Sequence, residues 1–205
     1  MTKTSSIVVL LAVIGCGGPV SNGAPPGAPE VPRVPGMVQP RHGKPNLGDR
    51  APGFTLKDAR GNEVALSSLR GSPVLIEFGT SWCPFARAEL AGLKQVADDY
   101  GPKGVKVLLV DVKEGEPEYR EYAGRLPLSF PVLRDETGQV AASYAPEHAA
   151  PARPGRHTVV IAGNVIVDAS GTIRFFTLVD SRHFDAKLAN ARAALDRLLA
   201  ERSSL

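Results

Sequence analysis

The chain has 205 residues, enough for one domain with appendages, and an apolar fraction of 43%, ordinary for a globular protein. Its net charge is only +3, and its lysines and arginines are scattered among acids without a basic run. That pattern is a solvated mixed-charge surface and excludes a nucleic-acid partner read from charge.

In chain order, Lys3 precedes an apolar stretch from Ile7 to Ile14. The stretch is too short to span a bilayer as a helix but has the length of a signal-peptide core. It runs into Val13-Ile14-Gly15-Cys16, which resembles the lipobox of bacterial lipoproteins. The resemblance implies cleavage after residue 15, lipidation of Cys16 and attachment to a membrane of the bacterial cell envelope. Gly17, after the lipidated position, is not an acidic retention signal and points to the outer membrane, with the domain facing the periplasm. An ordinary secretory signal cut nearby is the competing reading. Residues 16–46 are dense in Pro and Gly with few large apolar side chains, so they cannot bury enough surface to offset ordering entropy and read as an extended tether.

The folded domain is expected over residues 47–205. Phe54-Thr55-Leu56 and Val64-Ala65-Leu66 flank a Gly-containing turn and predict a hairpin. Val74 to Phe78 predicts a buried strand, and a helix follows from Cys83 to about Tyr100, with Leu90, Leu93, Val96 and Ala97 on one face. Val105 to Val112 is almost wholly apolar and predicts a strand covered on both sides. A helix over 116–124, a short strand at 130–133 and a helical turn or two over 137–144 come next. Two strands, 157–168 and 172–179, surround Ala169-Ser170-Gly171. A closing amphipathic helix, roughly Arg182 to Arg202, directs Phe184, Leu188, Leu195, Leu198 and Leu199 inward. Strand–helix–strand units followed by two adjacent strands and a helix predict an α/β fold, a central mixed sheet flanked by helices, with an N-terminal β-hairpin extension.

Cys83 carries the chemistry. It follows a strand and a Gly79-Thr80-Ser81 turn and opens a helix whose first turn begins with Pro84. Unpaired N–H groups and the helix dipole favour a thiolate at such a position. Two-thiol redox sites place a second cysteine three residues on, and here that position is Ala86. If Cys16 is lipidated, Cys83 is the one free thiol of the mature chain. The competing reading is a buried structural cysteine. His148 and His157 flank the Ala145–Gly155 loop, but one thiol and two histidines are short of a closed metal site, so no metal or other cofactor is implied.

The run Leu47-Gly48-Asp49-Arg50-Ala51-Pro52-Gly53-Phe54, then Gly61, Val64 to Gly71, Trp82-Cys83-Pro84, Arg87-Ala88-Glu89, Phe130 to Asp135 and Val165 to Asp168 with Gly171, resembles the redoxin (AhpC/TSA) branch of the thioredoxin-fold superfamily. That branch includes membrane-anchored thiol–disulfide oxidoreductases and peroxiredoxins. The resemblance implies a thioredoxin-like fold and an active-site helix carrying Trp82, Cys83, Pro84, Ala86 and Glu89. It makes Glu77, six residues before Cys83, an acid that assists proton transfer; a strand-end carboxylate paired with Lys or Arg is the alternative. It gives Glu89 a modulating role, against an exposed helix-face glutamate. Thr80 stands where peroxiredoxins place a hydroxyl beside the reactive sulfur, although turn capping also explains it. The cis-proline position of the family falls on Ala162. The peroxidase arginine has only Arg153, Arg156 and Arg174 as candidates.

The implied activity is thiol–disulfide exchange at Cys83, with protein or small thiols and disulfides as partners and an external thiol clearing the adduct. A one-cysteine thiol peroxidase and a redox-inactive binding module are the alternatives.

Overall fold

The computed structural model describes residues 46–145, 163–178 and 184–203. The hairpin forms as expected, with β1 (Thr55–Asp58) and β2 (Glu63–Ala65) antiparallel. Its turn is closed by Asp58, whose Oδ1 accepts the N–H groups of Arg60 and Asn62, both at 2.9 Å. A short 3-10 turn at Leu66–Leu69 leads to β3 (Val74–Gly79), buried at every residue. Helix α1 (Pro84–Tyr100) follows, then β4 (Lys106–Val112), α2 (Glu116–Arg125), β5 (Val132–Asp135) and the short α3 (Gln139–Ser143). Glu116 and Glu118 in the first turn of α2 and Arg125 in its last complement the helix dipole. Strands β6 (Gly163–Val167) and β7 (Ile173–Leu178) and helix α4 (Ala189–Ser203) complete the described chain. Among the described residues no helix is long and apolar enough to cross a membrane.

The seven strands form one sheet in the order β2-β1-β5-β4-β3-β6-β7. β3–β4 and β4–β5 are parallel and the other pairs antiparallel, giving the mixed thioredoxin-like sheet. Because side chains alternate across a strand, β3 divides its residues between two cores. Ile76 and Phe78 join Phe54, Val110, Leu133, Val165 and Tyr144 on one face. Leu75 joins Leu109, Val132 and Ile166 beneath α1, α2 and α4 on the other. The residues of this second face, Glu77, Gly79, Leu109, Asp111 and Asn164, are the ones that build the site.

The closing helix departs from expectation. It begins at Ala189 and not near Arg182, because Asp185 ties the preceding chain into a turn. Its carboxylate accepts the N–H groups of Lys187 and Asn190, each at 3.2 Å, while Leu188 takes a left-handed conformation with φ 53°. Leu188 is still buried, and Phe184, expected in the core, is half-buried in an edge-to-face contact with Phe85 of α1, ring centroids 5.1 Å apart. The segment fits tightly against α1: a Cβ on Gly92 would stand 2.6 Å from the Ala186 carbonyl oxygen.

Candidate active site

Cys83 is the last residue before α1, extended at φ −75° and ψ 117°, and Pro84 is the first residue of the helix. The Cys83 N–H donates to the Thr80 carbonyl at 3.2 Å, closing a turn, and the Arg87 N–H donates to the Cys83 carbonyl at 3.1 Å, starting the helix. Cys83 is the only free thiol among the described residues. Only 4% of Cys83 is exposed, the burial that the competing reading of a structural cysteine expects. Its neighbour Trp82 is 63% exposed and supplies the apolar surface beside it. Ala86 is buried one helical turn on, close enough to β3 that a Cβ on Gly79 would lie 2.8 Å from the Ala86 Cβ.

Glu77 lies inside β3, in register with Leu109 on one side and Asn164 on the other. It is completely buried, and neither carboxyl oxygen meets a hydrogen-bond donor. Among the described residues no Lys or Arg pairs with it, so the strand-end ion-pair reading is corrected. Its facing group is the carboxyl of Glu89, which is 2% exposed and also accepts the Asn164 side-chain amide at 3.2 Å. The exposed helix-face reading of Glu89 is therefore corrected too. Position 89 stands three residues after Ala86 and four before Leu93, both buried, so it shares their stripe. Two buried carboxyls can face each other only by holding a proton between them. Burial first, then the Glu89 charge and the hydrogen bond to it, push Glu77 well above the ordinary carboxylate range, and the nearby Cys83 charge adds to the rise. Burial raises Glu89 as well, while the bonds from Glu77 and Asn164 hold it back. Of the two, Glu77, with no other donor and the deeper burial, is the one pushed further toward its protonated form.

The Thr80 hydroxyl is buried without a partner, so turn closure falls to its carbonyl and not to its side chain. Arg174 lies at the opposite end of the sheet, paired with Asp168 at 3.3 Å and Glu201 at 2.8 Å, which removes it as a peroxidase arginine. Cys16, Ala162, His148, His157, Arg153 and Arg156 lie outside the described residues.

Sequence reasoning passed over a second acidic pair. Asp111, in register with Gly79 of β3 and Arg134 of β5, is 1% exposed, and both of its oxygens lack a donor. Burial, then the charge of Glu114 and the hydrogen bond to it, raise Asp111 to about 7, with Arg134 opposing the rise. Glu114 in turn accepts the Ser81 N–H at 2.6 Å, inside the turn that presents Cys83. The signal was present in outline: Asp111 interrupts an apolar strand as Glu77 does.

Residues 47–176 match the AhpC/TSA family. Over 98 residues, 48% of this chain and 56% of the relative, the sequence is 34% identical to the thiol-disulfide oxidoreductase ResA of Geobacillus kaustophilus. The chain thus spans little more than half the length of this curated relative. An uncharacterised conserved protein of Geobacillus kaustophilus superposes with a TM-score of 0.62 at 27% identity, covering 76% of this chain and 83% of the other. Peroxidoxin BcpB of Mycobacterium tuberculosis superposes with a TM-score of 0.62 at 21% identity, covering 76% and 97%, and that likeness is one of fold alone. With the match running from the hairpin through the Cys83 helix into β7, the chain belongs to the AhpC/TSA family, within the thioredoxin-fold superfamily.

Proposed function

We propose that the protein is a thiol–disulfide oxidoreductase that works through the single thiol of Cys83. The observation that carries this reading is the carboxyl pair Glu77–Glu89, both buried and facing each other, set close enough to Cys83 for its charge to be felt. A carboxyl whose hold on a proton is strengthened by burial is suited to take and return a thiol proton. The pair accepts the Cys83 proton and the thiolate attacks one sulfur of a partner disulfide. A Cys83–sulfur bond forms as the partner's sulfur–sulfur bond breaks, and the released sulfur leaves with the electron pair and takes up the proton. An external thiolate then attacks the partner's sulfur in the mixed disulfide, frees Cys83 as the thiolate and leaves joined to that sulfur. A second external thiol displaces it, so two external thiols become one disulfide and two electrons pass to the substrate. With so little of Cys83 exposed, both attacks occur from an opened form of the turn at residues 80–83.

The test is intact mass of the domain after incubation with glutathione disulfide, followed by reduced glutathione. The expected result is one adduct on Cys83 that reduced glutathione removes, and none in Cys83→Ser. Absence of any adduct at Cys83 overturns the reading in favour of a binding module. Faster consumption of hydrogen peroxide than of disulfide, lost in Cys83→Ser, makes it a thiol peroxidase instead.

The same proposal places the domain on the periplasmic side of a bacterial envelope membrane, held by lipid on Cys16. It is supported by the apolar Ile7–Ile14 core ending at Gly15-Cys16 and by the Pro- and Gly-rich spacer that follows. Cys16→Ser should move the protein from the membrane to the soluble fraction on cell fractionation; retention in the membrane removes the anchor.

A further inference from the structure

The two acidic pairs touch different parts of the site. Glu77 and Glu89 lie near the Cys83 thiol, whereas Glu114 holds the backbone leading to it. Its Oε1 accepts the Ser81 N–H at 2.6 Å, and the next link is the Cys83 N–H on the Thr80 carbonyl at 3.2 Å. Glu114 has one bonded oxygen; its other, Oε2, is buried with no donor. Facing it is Asp111, both of whose oxygens are also buried and donorless. A buried acceptor without a donor is costly, and more so when charged, so the facing oxygens are satisfied only by a proton between them.

We propose that Asp111 and Glu114 are a positioning pair for Cys83: the proton they share keeps Glu114 on the Ser81 N–H and keeps the Thr80–Cys83 turn closed. Loss of that proton leaves two carboxylates confined together, and the relief is for Glu114 to swing out and release the turn. The role deepens the exchange reading above and rests on Cys83 being the reactive group.

The other groups around the pair do not substitute for the proton. Arg134 of β5 acts on Asp111 but is drawn to Glu116 at 3.7 Å and Glu136 at 3.4 Å. From α2, Tyr119 donates to the Val132 carbonyl at 2.7 Å, and Tyr122 has a buried hydroxyl without a partner; burial raises each to about 12, so both stay neutral. Arg87 of α1 acts on Tyr122 in the sense opposite to the surrounding acids. Lys113 adjoins the pair in sequence, its backbone N–H on the Asp135 carbonyl at 2.9 Å.

The direction with pH follows. Asp111 is raised from 3.8 to about 7 while the turn is closed and returns toward its ordinary value when the pair separates. The closed form therefore binds the proton more tightly. Closure is strongest at acid pH, weakens as pH rises between those two values, and changes no further above about 7.

The experiment is the rate of Cys83 alkylation by iodoacetamide in the full chain between pH 5 and 8, for wild type and Asp111→Asn. Asparagine donates permanently to Glu114, so its turn stays closed. Thiol ionisation enters both rates, and their ratio reports opening alone. The expected ratio of wild type to variant climbs by up to about tenfold per pH unit to about pH 7 and then levels. A ratio constant across the range overturns the proposal. Glu114→Gln serves the same purpose, its carbonyl accepting from Ser81 and its amide donating to Asp111. Should neither variant fold, amide hydrogen exchange decides it in the wild type: protection at Ser81 must fall over the same window, and flat protection overturns it. Alkylation needs only a thiol, so failure of disulfide exchange would sink the function proposed above and leave this result readable.

Discussion

Restoring a second thiol by Ala86→Cys should change what oxidation of this protein produces. On the proposed single-thiol reaction an adduct on Cys83 waits for an outside thiol, because position 86 offers only a methyl group. Position 86 sits one turn into α1, on the same stripe as Cys83 and buried beside it. The extended backbone at Cys83 leaves its side chain free of the helical rotamer set, which lets two sulfurs three residues apart reach disulfide geometry. An intramolecular attack replaces a bimolecular one, and well-oriented groups reach effective concentrations of about 10⁵ M or more against millimolar glutathione. Even after a large discount for imperfect fit, release of the adduct should quicken by on the order of 10³-fold. Intact mass after glutathione disulfide should show a species lighter by two hydrogens in place of the adduct. A persistent adduct in Ala86→Cys would mean the two positions cannot meet. Crowding sets the cost: the Ala86 Cβ already approaches β3 where Gly79 has no side chain, so the variant should be somewhat less stable when reduced.

The order of elements was legible because it rests on local pattern. The apolar runs 74–78 and 105–112 are strands whatever surrounds them, and the Asp58–Asn62 turn carries its own closing carboxylate. The start of the last helix was not legible, since Arg182 to Leu188 has helical spacing and only the Asp185 turn and the left-handed Leu188 show that the chain does otherwise. Burial at the site was harder still. Glu89 reads either as a modulating acid by resemblance or as an exposed helix-face glutamate, and only its spacing to the buried Ala86 and Leu93 puts it inside. Asp111 and Glu114 escaped because their partners, each other and the Ser81 N–H, come together only through the β3–β4 register and the chain's return after Val112. Linear spacing finds the thiol; the proton chemistry around it depends on which polar residues the sheet encloses, and that is a tertiary fact.

Glu77 sets the largest predicted trade between stability and rate. Folding moves its carboxyl from water to a site with no donor on either oxygen, and the native state tolerates it by keeping it protonated against Glu89. Because its folded value is raised above the ordinary 4.5, the native state binds the proton more tightly than the unfolded chain does. Wild-type stability must therefore fall as pH rises from that ordinary value through the folded one. Glu77→Gln keeps the shape, donates an amide hydrogen to Glu89 and has nothing to titrate. Urea unfolding at pH 5 and pH 8 should show the variant gaining on the wild type as pH rises, with the difference larger at pH 8. The same substitution removes the carboxyl proton from the site, and disulfide exchange at Cys83 should slow by about 10²- to 10⁴-fold, the usual contribution of a positioned acid–base group. Stability curves that stay parallel would mean Glu77 is not the group absorbing the proton. An exchange rate within a few-fold of wild type would leave Glu77 a buried acid without a part in the chemistry. The two readouts are independent, and a slower but more stable Glu77→Gln is the combination expected of a group retained for reaction at the expense of folding.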